Sequence, residues 1–109
     1  MPTLLFHHPR ELSDDILDPL MDALHQCALD SGLFEAHTIK AAALAISNPR
    51  QGGERKPFAS LQMRLFTGRS QEQRLALSRA LLAVINAHLG ERMSATVEMV
   101  ETDSATFSR

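Results

Sequence analysis

The chain has no tryptophan and no tyrosine, and phenylalanine occurs five times in 109 residues. Proteins that hold single-stranded nucleic acid stack bases on aromatic platforms, so the composition argues against that class. Cysteine occurs once, at Cys27, so no internal disulfide can form, which fits a reducing compartment. Neither sign of charge dominates. Eleven Lys and Arg against 13 Asp and Glu leave a net charge of -2, and nothing in that balance calls for a polyanionic partner. No apolar run approaches the ~20 residues of a membrane span. The opening stretch PTLLFHHPRE is too short for a signal peptide and has no basic region ahead of it. These absences predict a cytoplasmic protein with neither a membrane nor a nucleic-acid partner.

What is present is ordinary globular composition, with 44% apolar and 22% charged residues. The length predicts a single domain over 1–109 with a small core, for which help from partner chains matters. Pro2 to Phe6 is a short apolar run closed by His7, His8 and Pro9, and reads as a strand and a turn. Ile16, Leu17, Leu20, Met21, Leu24, Cys27 and Ala28 recur at helical spacing. Ser13, Asp14 and Asp15 supply capping and dipole-compatible charge, while Pro19 predicts that the regular helix starts near Leu17 or Asp18. Gly32 is its stop signal.

HTIKAAALAIS reads as a second strand, and NPRQGGERKP is turn chemistry throughout. FASLQMRLF alternates apolar and polar residues as a third strand would. Ser70 and Gln73 make a capping box at the head of a second helix, with Leu77, Leu81, Val84, Ile85 and His88 or Leu89 on one stripe and Gly90 at the end. SATVEMVE is a fourth strand, and 102–109 reads as a tail.

The order strand, helix, strand occurs twice. It predicts an α+β fold of two tandem βαβ units, forming a four-stranded mixed sheet with two helices on one face. Ala41, Ala43 and Ala45 alternate with Ala42, Leu44 and Ile46, so the second strand is expected to be buried on both faces. Two helices cover one face only, so other copies of the chain are expected to cover the other, sheets facing one another around a common axis. A ferredoxin-like dimer binding small aromatic ligands has a similar element count and is the competing arrangement.

Pro2 stands directly behind Met1 at the threshold of an apolar strand. Removal of Met1 leaves a secondary amine there. Taken alone, Pro2 is more simply a tolerated strand-start residue. The adjacent His7 and His8 point to opposite faces of a strand, so a shared metal is not expected. His25 and His88 have no partner at i+4, and His37 precedes the second strand. Cys27 falls on the apolar helix stripe as a core residue, and Arg50, Arg55 and Lys56 read by default as a solvated loop, the alternative being a loop that reaches a neighbouring copy's active site.

Four features taken together resemble the 5-carboxymethyl-2-hydroxymuconate isomerase family of the tautomerase superfamily. They are Pro2 behind Met1, SGLF at 31–34, the IKAAAL strand after it, and LFTGRSQEQR at 65–74 opening the second helix. The resemblance runs from Pro2 to about Glu101. It implies a homotrimer of pseudo-duplicated βαβ subunits and no cofactor. It implies that Pro2 shuttles the proton and that Arg69 helps bind or polarise an acidic substrate. Lys40 stands where the family has a second arginine, which keeps the charge but loses the bidentate fork. The implied substrate is a small unsaturated 2-hydroxy or 2-oxo dicarboxylate such as 5-carboxymethyl-2-hydroxymuconate, from aromatic-compound breakdown.

The chemistry fits those residues. A tautomerase needs a base that is neutral near pH 7, and burial with nearby cations lowers an amine's pKa. Arg69 beside the amides of a helix N-terminus makes an anion site. The alternative is a non-catalytic trimer of the same fold that binds small anions or serves a structural role.

Overall fold

In the computed structural model, which describes residues 1–109, the first strand lies inside the sheet rather than at its edge. The elements in chain order are β1 (Thr3–Pro9), α1 (Asp14–Asp30), β2 (Lys40–Ile46), β3 (Arg50–Gln51), β4 (Glu54–Arg55), β5 (Phe58–Phe66), α2 (Gln71–Leu89) and β6 (Ser94–Thr102). The main sheet runs β2-β1-β5-β6. β1 pairs in parallel with β2, β5 in parallel with β6, and β1 and β5 meet antiparallel at the centre. Each helix therefore crosses between two neighbouring parallel strands, as the doubled plan predicts. The split pairing of a ferredoxin-like sheet is absent.

Period-two alternation in the central strands sorts the two faces. Leu4 and Phe6 of β1 are buried with Ala59, Leu61, Met63 and Leu65 of β5. Against them lie Leu17, Leu20, Leu24 and Ala28 of α1 and Leu77, Leu81, Ile85 and Leu89 of α2. Each of the larger side chains contributes about 2 kcal/mol by leaving water. Thr3, Leu5 and His7 point to the face without helices. They align across the sheet with Lys40, Ala42 and Leu44 of β2 and with Arg64, Gln62 and Ser60 of β5.

The two helix starts differ from one another. At α2 the capping box forms in full: Gln73 N–H donates to Ser70 Oγ at 3.1 Å, and Ser70 N–H donates to Gln73 Oε1 at 2.9 Å. At α1 the helix begins at Asp14, ahead of the expected Leu17 or Asp18, and the Ser13 side chain makes no capping bond. The Ser13 carbonyl instead accepts from both Ile16 and Leu17 N–H at 3.0 Å. That closes the first turn before Pro19 is reached, so proline costs one later bond and not the turn itself.

β2 is a correction to the sequence reading. It is an edge strand paired only with β1, and within one chain its first six residues are exposed, Ile46 alone being partly covered. Its alternating alanines and Leu44 signalled burial that the chain alone does not supply. The polar loop after it folds into the β3–β4 hairpin, where Gly52 and Gly53 both take positive φ (59° and 82°). Such a two-residue turn favours glycine at both positions. The residues read as a tail are docked: Thr102 ends β6, Ser104–Thr106 form a 3-10 turn, and the Phe107 ring meets Phe66 edge-on at 5.1 Å.

Candidate active site

The amino-terminal end of the sheet gathers Pro2, the start of β2 and the end of β5. Pro2 is fully buried where β1 begins. Its carbonyl accepts from Lys40 N–H at 3.0 Å, so the backbone of Lys40 is fixed against it. Lys40 and Arg64 stand opposite Thr3 on its two sides, putting two cations on one row of the open face.

With Met1 attached, the Pro2 nitrogen is an amide. The α-amine of Met1 therefore reports the electrostatics of this end. Desolvation, then Lys40, then Arg109 hold that ammonium below its ordinary value of 8.0. Arg109 reaches the site through the docked C-terminus, its guanidinium lying 6.0 Å from the ring centroids of both Phe66 and Phe107. Extending the β1–β5 register by two residues sets Met1 opposite Phe66.

Arg69 lies at the same end but on the helix side. Its Nη2 donates to the Leu33 carbonyl at 2.9 Å and its Nη1 to the Phe66 carbonyl at 3.4 Å, while its guanidinium covers the Phe34 ring at 4.9 Å. The side chain thus staples the SGLF segment to the turn before α2. The anion site expected at the α2 N-terminus is reduced, because the capping box takes the Ser70 and Gln73 amides an anion would need.

The structure brings Lys40 to Pro2 and engages Arg69 with the protein's own carbonyls. Sequence reading passed over Arg64 and Arg109. The β5 alternation placed Arg64 on the polar face, and only the register with Thr3 reveals its position. Arg109 depends on a contact with Phe66 that spans 43 positions and carries no local signal.

The histidines stay apart. His8 is buried, donates from Nδ1 to the Pro9 carbonyl at 2.8 Å and stacks on Phe6. His7 faces the opposite way, and His37 is exposed 3.7 Å from Glu35. Cys27 is only partly buried in the groove between α1 and α2, where burial and Asp30 push its thiol pKa up.

Three concavities exist in the single chain, and none includes Pro2. One of about 770 Å³ is that interhelical groove; another of about 540 Å³ lies at the opposite end of the sheet. A shallow one of about 650 Å³ lies over Ser70, Gln71, Glu72 and Leu75 at the start of α2. The Pro2 end is an open ledge with cations around it.

A four-stranded mixed sheet of two βαβ halves joined antiparallel, with two helices, is the fold of the tautomerase superfamily, an isomerase-type fold. The sequence profile of the 5-carboxymethyl-2-hydroxymuconate isomerase family matches residues 4–107, and the chain belongs to that family.

Solved structures agree at the level of fold. A 5-carboxymethyl-2-hydroxymuconate isomerase from Deinococcus radiodurans R1 is 22% identical with a TM-score of 0.86, over 99% of this chain and 87% of that one. A fused 4-OT described as an asymmetric trimer is 22% identical with a TM-score of 0.88, over 99% and 92%. A macrophage migration inhibitory factor of Toxoplasma gondii is 16% identical with a TM-score of 0.81, over 99% and 96%. No curated protein matches the sequence.

Proposed function

We propose that the chain, once Met1 is removed, is a cofactor-free tautomerase of a small unsaturated 2-hydroxy or 2-oxo dicarboxylate such as 5-carboxymethyl-2-hydroxymuconate. The observation that carries this reading is Pro2 itself, fully buried at the head of β1, one residue from an α-amine that desolvation, Lys40 and Arg109 lower. The same surroundings act on a Pro2 amine, whose carbonyl is already bonded to Lys40 N–H. An amine whose pKa is lowered holds more of its neutral form at a given pH and is the better placed to act as a general base.

In the reaction, the neutral Pro2 nitrogen takes the proton of the 2-hydroxyl group. The electron pair moves through the conjugated chain, and the far carbon takes the proton back from the prolinium. No atom is gained or lost, and no electron acceptor is required. Lys40 and Arg109 hold the substrate carboxylates and the developing oxyanion. Arg69 binds or polarises the substrate through the N–H groups its two carbonyl bonds leave free.

The working unit is a homotrimer. β2 leaves its outer edge unpaired, and Ala42 and Leu44 lie bare on the open face. A neighbouring copy on that edge covers both and adds a wall to the open ledge at Pro2. No membrane or nucleic acid takes part, and the reaction belongs in the cytoplasm with aromatic-compound breakdown.

The test is the ultraviolet time course of 5-carboxymethyl-2-hydroxymuconate with two preparations of known mass, one lacking Met1 and one retaining it. Conversion well above the buffer rate by the first and none by the second is expected. Equal rates in both would remove Pro2 from the mechanism.

A further inference from the structure

We propose that the cleft at the end of the sheet opposite Pro2 binds a small polyanion carrying two or more phosphoryl groups. β1 separates the two ends by its seven residues, roughly 20 Å of strand. The site therefore uses none of the side chains assigned to the proton transfer.

The cleft encloses about 540 Å³, a volume suited to a compact ligand rather than a flat partner. Arg10, Arg50, Arg55, Lys56 and Arg92 line it, with Glu11 as its one carboxylate. The whole chain has 11 Lys and Arg and 13 Asp and Glu, so nearly half of its cations meet here with one of its acids. The overall charge of -2 conceals this segregation.

None of the five cations is paired. The ion pairs of the structure are His37 with Glu35 and Arg74 with Glu101, both elsewhere. Arg50 stands directly opposite Arg55 across the β3–β4 hairpin. Like charges at directly opposed strand positions are destabilising. An anion between the two arginines converts the repulsion into two charge-assisted contacts.

The frame around the charges is held in place. Arg10 Nη2 donates to Ser47 Oγ at 2.9 Å, tying the end of β1 to the end of β2. Lys56 N–H donates to the Pro49 carbonyl at 3.4 Å and closes the base of the hairpin. Pro49 and Pro57 fix φ on either side of it. Less ordering is then left for the ligand to impose.

Charge selects the ligand class. Five cations and one carboxylate leave four positive charges uncompensated. A dicarboxylate supplies about half of that, whereas two phosphoryl groups supply about -3 to -4 near neutral pH. Guanidinium forks also match phosphate oxygens in pairs.

The experiment is calorimetric titration of the assembled protein at low salt with inorganic pyrophosphate, and with citrate, a tricarboxylate of about equal charge, as the comparison that isolates the fit of guanidinium forks to phosphoryl oxygens. Saturable binding at one site per chain is expected, with citrate at least about tenfold weaker. Arg92→Ala should weaken pyrophosphate about tenfold, the value of one charge-assisted contact. Arg55→Glu should weaken it further. That variant places opposite charges across the hairpin, so its melting temperature should hold or rise while binding is lost. Absence of saturable binding, or variants that bind like the parent, would overturn the proposal. Citrate matching pyrophosphate would overturn the phosphoryl assignment, and a single-stranded oligonucleotide that displaces pyrophosphate and binds more tightly would overturn the small-ligand reading.

Discussion

Arg69 and Leu33 lie 36 residues apart and are joined by a 2.9 Å hydrogen bond from guanidinium to carbonyl. The bond links the end of the first βαβ half to the start of the second helix. The Phe34 ring under the guanidinium and the second bond to the Phe66 carbonyl complete the clamp. An arginine so engaged orders the ledge where the two halves meet, whatever it also does to substrate.

The first prediction separates those two roles. Arg69→Ala should lower stability by about 1–3 kcal/mol, the usual value of charged hydrogen bonds to part-buried carbonyls, read from urea unfolding. If Arg69 acts chiefly as a clamp, kcat falls and Arg69→Lys restores little, since lysine cannot fork. If it also grips a substrate carboxylate, KM rises in Arg69→Ala. Unchanged unfolding would dismiss the clamp.

A second prediction concerns pH. The α-amine at this end is lowered by desolvation first, then by Lys40 and Arg109. A base works only when neutral, so kcat/KM of the Met1-free enzyme should rise with pH through the depressed amine pKa, below 8.0. Removing a cation relaxes the depression. Lys40→Ala and Arg109→Ala should each move that acidic limb to higher pH, and the double variant further than either. A limb that stays in place in all three would show that the titrating group is not this amine.

Pro19 gives a prediction about stability alone. It sits on the exposed side of α1, inside the helix and past the first turn, and has no N–H for the Asp15 carbonyl. Pro19→Ala should restore that bond and raise stability by about 1–3 kcal/mol. A lower urea midpoint would mean that the ring makes packing contacts worth more than the bond.

The sequence was informative wherever a local rule and the tertiary environment agree. The β5 alternation from Phe58 to Phe66 and the Ser70–Gln73 capping box are complete within nine and four residues, and both appear as read. The doubled βαβ order then leaves few topologies, because each parallel pair must be crossed by its helix. The α1 start was harder, because Pro19 argues for a late beginning while Ser13 contributes its carbonyl and not its hydroxyl. The closeness of Pro2 and Lys40 was legible through the family pattern, and their backbones are bonded. The carbonyls that occupy Arg69 were not, since Leu33 and Phe66 offer backbone atoms with no side-chain signature. The docking of Phe107 and Arg109 was missed because it rests on an aromatic contact between Phe107 and Phe66, which are far apart in sequence and carry no local pattern that pairs them.

The last prediction tests the bare edge. β2 reads as a strand buried on both faces, yet Leu44 is 40% exposed and the alanines around it are open. Apolar alternation on an edge strand is an aggregation hazard unless something covers it. A covering neighbour resolves the conflict, and Leu44 on the open face is where it should be felt. Leu44→Asp puts a charge on that face without entering the core, which lies on the other side of the sheet. The variant should keep its helix and strand content by circular dichroism while its sedimentation coefficient drops from that of a trimer to that of a single chain. Activity should fall with it if the proposed neighbour walls the Pro2 ledge. A folded variant that still sediments as a trimer would mean that the copies meet elsewhere, and that the alanines of β2 are bare in the working protein.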